Sequence, residues 1–91
     1  MNSDRIFLYP GAGPGGKEYL RQLGTREGIS RLGVELIEGQ TLRFYCDDAD
    51  DKSAPSDLLF EGVVHFDPTR REWYVIIDEK SYRQASDEAK R

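Results

Sequence analysis

The sequence predicts a mainly β fold: a small antiparallel barrel of about five strands, with a glycine-rich N-terminal arm that carries one short helix. Three observations lead there. Residues 41–47 alternate cleanly, with Leu42, Phe44 and Cys46 on one side and Arg43 and Tyr45 on the other. Residues 58–67 and 72–78 are rich in aromatic and β-branched side chains and flank Asp67-Pro68-Thr69-Arg70, which has the chemistry of a type I turn. Seven of the nine glycines fall at or before Gly33, so the two parts of the chain differ in character.

Taken in order, residues 5–9 can form a short extended segment. Residues 17–23 fit a two-turn helix, with Tyr19, Leu20 and Leu23 as an apolar stripe and Gly24 stopping it in the left-handed conformation. A single turn follows over residues 28–32, ending at Gly33. Residues 34–37 make a short apolar strand and Glu38-Gly39 a turn before the alternating strand. Residues 48–57 form an acidic loop. Within 58–67, Gly62 suggests a bulge or bend. Residues 72–78 pair back on 58–67, and 81–85 add a last short strand. The expected organisation is an arm over 1–33, a barrel over 34–86 and a frayed charged tail over 87–91.

Composition bounds the function. The chain has 91 residues, a net charge of -4 and 33% charged residues, which fits one modest domain. An acidic chain repels nucleic acid phosphates and anionic lipid, so neither is an expected partner. The one cysteine, Cys46, excludes an intrachain disulfide. There is no basic stretch followed by an apolar run, and no segment of bilayer-spanning length. The expectation is a cytoplasmic protein.

The order of features resembles an SH3-like barrel over residues 34–86. A glycine turn leads into a strand ("EGQTLRFYC"), followed by a long loop, a hairpin ("LLFEGVVHFDPTRREWYVIID") and a short final piece ("SYRQAS"). The same segments are similar to a group of small uncharacterised bacterial proteins with an acidic loop, an "EGVV" strand and a "W…ID" strand. That likeness implies no activity. Likeness to SH3-like modules implies peptide recognition, with an acidic loop beside exposed aromatic rings.

The stretch "YPGAGPGGKEYL" raises a nucleotide reading. Gly11, Gly16 and Lys17 fit G-x-x-x-x-G-K, and Gly11, Gly13 and Gly16 fit G-x-G-x-x-G. A βαβ unit would need residues 5–9 as first strand, 17–23 as helix and 34–37 as return strand, with Glu35 or Glu38 on a ribose. Against it, Glu18 stands where a Ser or Thr would hold magnesium, and a carboxylate there repels phosphate. Gly15 and Gly16 in a first helical turn would each weaken it by roughly 1 kcal/mol. The rest of the chain reads as hairpins, without further crossover helices. A mobile connector is the favoured reading of the stretch, and nucleotide binding through Gly11–Lys17 remains the alternative.

Other chemistry-bearing residues read as ordinary ones. Asp47 and Asp48 disfavour a Cys46 thiolate, and Cys46 shares a face with Leu42 and Phe44, so it packs in the core. His65 has no second histidine for a metal. The acidic loop lacks the glycine and the closing carboxylate of a calcium loop: Lys52 stands at a ligand position and Leu59 closes it. No nucleophile has a base the sequence can pair with it, so no enzyme, cofactor or metal is expected.

Trp73, Val75 and Ile77 share one strand face, Tyr74 and Ile76 the other. An inward Trp73 leaves Tyr45, Tyr74 and Tyr82 as the exposed rings, whereas an outward one would form a groove wall. The expected function is a non-catalytic protein-interaction module. Its surface would be Asp47, Asp48, Asp50, Asp51 and Asp57 with Tyr45 and Tyr74, taking a basic or proline-rich segment of another protein. A structural subunit of a larger assembly, docked through Tyr19, Leu20 and Leu23, is the third reading.

Overall fold

The computed structural model describes residues 4–11, 16–47 and 55–88. Their strands are β1 (Ile6–Phe7), β2 (Lys17–Tyr19), β3 (Thr41–Cys46), β4 (Leu58–Asp67), β5 (Glu72–Ile77) and β6 (Arg83–Gln84). Helices α1 (Leu23–Leu32) and α2 (Ala85–Glu88) and a 3-10 turn at Glu79–Ser81 complete the described fold. The strands form one sheet in the order β1-β3-β4-β5-β2, with β6 on β4. β4 is long enough for three partners: β3 along residues 58–63, β5 along 62–67 and β6 at 58–59. Among the described residues no helix is long and apolar enough to cross a membrane.

The fold is mainly β, as the alternation predicts, but the sheet is open and mixed, which corrects the expected antiparallel barrel. The reason is the N-terminal segment. β1 lies parallel to β3, with Ile6 opposite Phe44 and Phe7 opposite Tyr45, and takes the seat at that edge. β2 takes the other edge, antiparallel to β5. Two segments of the expected arm over 1–33, β1 and β2, are therefore strands of the sheet, and Ile6 and Leu8 lie in the same buried cluster as Leu42, Phe44, Cys46, Phe60, Val64, Val75 and Ile77. Each large side chain so buried contributes about 1.5–3 kcal/mol. A parallel pair joined by a helical crossover does exist, but its helix is α1 and its return strand β3, not residues 17–23 and 34–37.

The expected helix over 17–23 is also corrected. Lys17–Tyr19 is strand, and the helix starts at Leu23. Gly16, at φ 74°, turns the chain into β2. Gly24 lies inside α1, where an added Cβ would sit 2.8 Å from the Phe7 ring, so its lack of a side chain serves close packing rather than a stop. The stop is Gly33, at φ 64° and ψ 32°, whose amide donates to the Ser30 carbonyl while Val34 donates to Ile29. Thr25, Gly28, Ile29 and Leu32 recur at helical spacing and turn toward the sheet. Residues 34–37 form no strand, because β1 holds the position beside β3; Val34 and Leu36 pack on the core from above it.

The three central strands match their expected bounds closely. Leu42, Phe44 and Cys46 are buried, and Phe44 stacks on Phe60 at 5.5 Å. Thr69 and Arg70 amides donate to Asp67 Oδ1 in the expected turn. Gly62 makes no bulge: it stays in register with Leu42 and Ile77, and an added Cβ would lie 2.4 Å from Val75 Cγ2 and 2.9 Å from the Ile76 carbonyl oxygen. Trp73 packs against the core with Val75 and Ile77.

A charged network joins the chain's two ends to β4. Arg5 is 3% exposed, and its guanidinium donates to the carbonyls of Phe44 (2.9 Å) and Phe60 (3.4 Å) and to Glu61 Oε2 (3.1 Å). Arg83 donates to both Glu61 oxygens at 3.1 Å. Burial alone would raise the Glu61 pKa, but Arg83 and Arg5 more than offset it, and the carboxyl is held below its usual range.

Three substitutions test this packing. Gly62→Ala loses about 2–3 kcal/mol in urea unfolding through overpacking. Gly28→Ala, whose Cβ meets Ile6 at an ordinary 3.5 Å, is neutral or gains about 0.5–1 kcal/mol from helix propensity. Glu61→Gln loses about 2 kcal/mol at neutral pH, because Arg5 stays buried without its counter-charge. Because the folded carboxyl is more acidic than the unfolded one, the gap to wild type is full above a pH of about 4.3 and closes as pH falls through the lower folded value.

Candidate functional site

The outer face of β2, β4 and β5 gathers rings and cations. Lys17 and Tyr19 stand two residues apart on β2 and so project to the same side; Tyr19 lies opposite Tyr74, and Tyr74 opposite His65. The Lys17 ammonium sits 4.3 Å from the Tyr74 ring centre and 5.2 Å from that of Tyr19. The guanidinium carbons of Arg21 and Arg70 lie 4.5 and 5.4 Å from the Tyr19 ring. Such contacts contribute about 0.5–1 kcal/mol each on a surface. The Tyr19 hydroxyl donates to Asp67 Oδ2 at 2.7 Å, and this bond first, with the Arg70 and Thr69 amides, holds Asp67 below the usual carboxylate range. Tyr19 chiefly, with Tyr74 and Asp67, raises the Lys17 pKa against the opposing effect of burial. Arg21 grips Glu72 with two bonds, at 2.6 and 2.7 Å. His65 pairs with Glu38, which also accepts the Phe66 amide at 2.9 Å.

The backbone of β2 is as informative as its side chains. Leu20 donates to the Trp73 carbonyl at 3.1 Å, so in the antiparallel alternation Glu18 and Leu20 face β5 while Lys17 and Tyr19 face outward. The Tyr19 carbonyl accepts the Arg21 amide, which leaves the Lys17 N–H and C=O and the Tyr19 N–H without a protein partner among the described residues. The opposite edge is closed. Thr25 Oγ1 donates to the Phe7 carbonyl at 2.5 Å, and the Gln22 side-chain amide bonds both the N–H and the C=O of Tyr9 at 2.9 Å.

A second feature is an apolar groove of about 430 Å³ between α1, residues 33–36 and the β5 end. Leu20, Ile29, Val34, Leu36 and Trp73 form its apolar surface.

The expected surface does not assemble as one. Tyr45 lies opposite Leu59 and Tyr74 opposite His65, six residues further along β4, which separates them by roughly 20 Å. Tyr45 packs edge-on against Phe7 at 5.6 Å. Asp47 and Asp57 lie near Tyr45, at the paired ends of β3 and β4, and the Asp57 carbonyl accepts the Ala85 amide. Asp48, Asp50 and Asp51 lie outside the described residues. The rings expected to be exposed, Tyr45, Tyr74 and Tyr82, are all half-buried. Tyr74 carries the Lys17 ammonium over its ring, with Asp67 bonded to the neighbouring Tyr19 and Glu38 to the neighbouring His65. The clue was the i, i+2 pairing of Lys17 and Tyr19, which the helical stripe through Tyr19, Leu20 and Leu23 outweighed.

The glycine stretch does not lead onto a helix. Lys17 opens β2, α1 begins at Leu23, and the Gly11 amide is taken by Glu18 Oε2 at 2.9 Å. Residues 12–15 lie outside the described residues. Among the described residues no three His, Cys, Asp or Glu side chains converge as a metal set. No family model, curated protein or solved structure matches the chain.

In Tyr19→Phe the Asp67 carboxyl loses the first cause of its low pKa and titrates at a higher pH than in wild type. The side-chain carbon shift of Asp67, followed across an acid titration, reads this directly.

Proposed function

We propose that the chain is a non-catalytic protein-interaction module that takes an extended, acidic segment of another protein as an added strand along β2. The observation that carries this is the asymmetry of the sheet edges. The β1 edge is covered by α1 and bonded by Thr25 and Gln22, leaving the Phe7 N–H without an acceptor among the described residues, whereas the β2 edge presents three such groups with no helix over them among those residues. Main-chain pairing supplies affinity in strand addition, and neighbouring side chains supply selectivity. Here the neighbours are Lys17, Arg70 and the rings of Tyr19 and Tyr74, with Asp67 bonded by Tyr19 and Glu72 by Arg21; Lys17 and Arg70, which form no ion pair among the described residues, favour a carboxylate on the added strand. Lysine on a short edge strand also disfavours pairing with a second copy, since it would meet a cationic edge like itself. The likeness to SH3-like modules belongs to this reading: β3, β4, β5 and β6 succeed one another along the chain, β4 is shared between β5 and β6, and peptide uptake by a small β module is what that likeness implies.

The test is a backbone amide NMR titration with two extended peptides, one alternating Glu and Val, the other Lys and Val. The acidic peptide shifts Lys17 and Tyr19, with Kd on the order of 10–100 µM at low salt, and weakens as salt rises. Lys17→Glu abolishes the shifts. Shifts from the basic peptide centred on Tyr45, Asp47 and Asp57 would restore the surface expected from sequence and refute this one.

A further inference from the structure

We propose that the groove between α1 and the end of β5 is a binding site for a compact amphipathic carboxylate, an acid with a short aliphatic or aromatic body. Its volume of about 430 Å³ falls within the range of small-ligand sites. Its walls are already in place. Ile29 comes from α1, Val34 and Leu36 from the segment after Gly33, Leu20 from the end of β2, and Trp73 from β5. Phe66 meets the Trp73 ring edge-on at 5.1 Å and backs that wall.

The polar groups fix the ligand's charge. Two carry side chains of opposite sign, Arg26 on the helix and Glu72 on β5. Glu72 is already neutralised by the two-bond grip of Arg21. The Arg26 guanidinium has no hydrogen bond or ion pair among the described residues. Ser30 lies one helical turn beyond it, on the same side of α1, and brings a hydroxyl to the same wall. The groove thus offers an apolar pocket with one uncompensated cation and one hydroxyl at the rim. An apolar body with a carboxylate head satisfies both, whereas a neutral body leaves Arg26 unused and a cationic one is repelled. Its Leu20 and Trp73 side chains lie on the opposite face of the sheet from Lys17, Tyr19 and Tyr74, and the proposal does not rest on the strand-addition reading.

Trp73 is the only tryptophan and reports directly on the groove. The full chain is titrated with octanoate and, separately, with octanol, which has the same body without the charge. Octanoate is expected to change Trp73 emission saturably, with half-saturation on the order of 0.1–1 mM. Arg26→Gln, at an exposed position where folding is not at stake, weakens octanoate about threefold to fivefold and leaves octanol unchanged. Equal binding of octanoate and octanol, indifference to Arg26→Gln, or a response to a neutral capped leucine peptide but not to octanoate would each overturn the proposal.

Discussion

Everything else in this fold depends on the buried guanidinium of Arg5. A cation that is 3% exposed needs compensating partners, and here one terminal nitrogen of the guanidinium meets two main-chain carbonyls and a carboxylate. Those acceptors lie on β3 and β4, so the chain entering β1 is fixed against the middle of the sheet. β1 itself is two residues long and parallel to its neighbour, the weaker kind of ladder. Pairing alone would not hold it. The burial of Ile6 and Leu8 and the tie from Arg5 do, and Glu61 passes the same tie on to Arg83 in β6. One carboxylate on the central strand therefore secures both the first and the last strands of the described sheet.

That anchoring sets the character of the two edges. With β1 fixed beside β3, the crossover helix must return along it, and the small residues Gly24 and Thr25 let it approach closely enough for Thr25 to bond the Phe7 carbonyl. Gln22, which precedes the helix, spends its side chain on Tyr9 rather than on capping α1. One edge is thus closed by the helix and its lead-in. β2 is left at the far side with no comparable cover among the described residues, and the apolar groove opens where α1 and residues 33–36 pass over Trp73. The open edge and the groove both follow from where the N-terminal segment was seated.

How far the sequence could be read follows the range of the interactions involved. Alternation is local, so Leu42, Phe44 and Cys46 gave their face correctly, and the Asp67-Pro68 turn placed the β4–β5 hairpin. That Trp73, Val75 and Ile77 share a face was legible for the same reason, but alternation left open which face turns inward, and only the fold sets Trp73 against the core. The parallel seat of β1 was not, because it depends on Arg5 reaching residues far along the chain. Three residues of β2 carry too short an alternation to compete with a helical stripe, and Gly24 looked like a stop because its contact with Phe7 is invisible without the fold. The cluster of cations on the Tyr19 and Tyr74 rings was hidden twice: Lys17, Arg21 and Arg70 are scattered in sequence, and the net charge of -4 points the other way.

Net charge and local charge need not agree, and distance decides between them. Charges separated by more than about 8 Å are largely screened at physiological ionic strength. A segment approaching β2 therefore responds to Lys17, Arg70, Asp67 and the rings within a few ångströms, not to Asp47 and Asp57 near the other end of β4. The backbone alone offers little, since three donors and acceptors at about 0.5–1.5 kcal/mol each hold no peptide tightly. Cations and aromatic faces must supply the remainder, and they favour carboxylates and extended chains over other partners. In the proposed strand addition, a protein acidic overall but bearing Lys17 and Arg70 beside its open edge would pair briefly and selectively with a segment as acidic as itself.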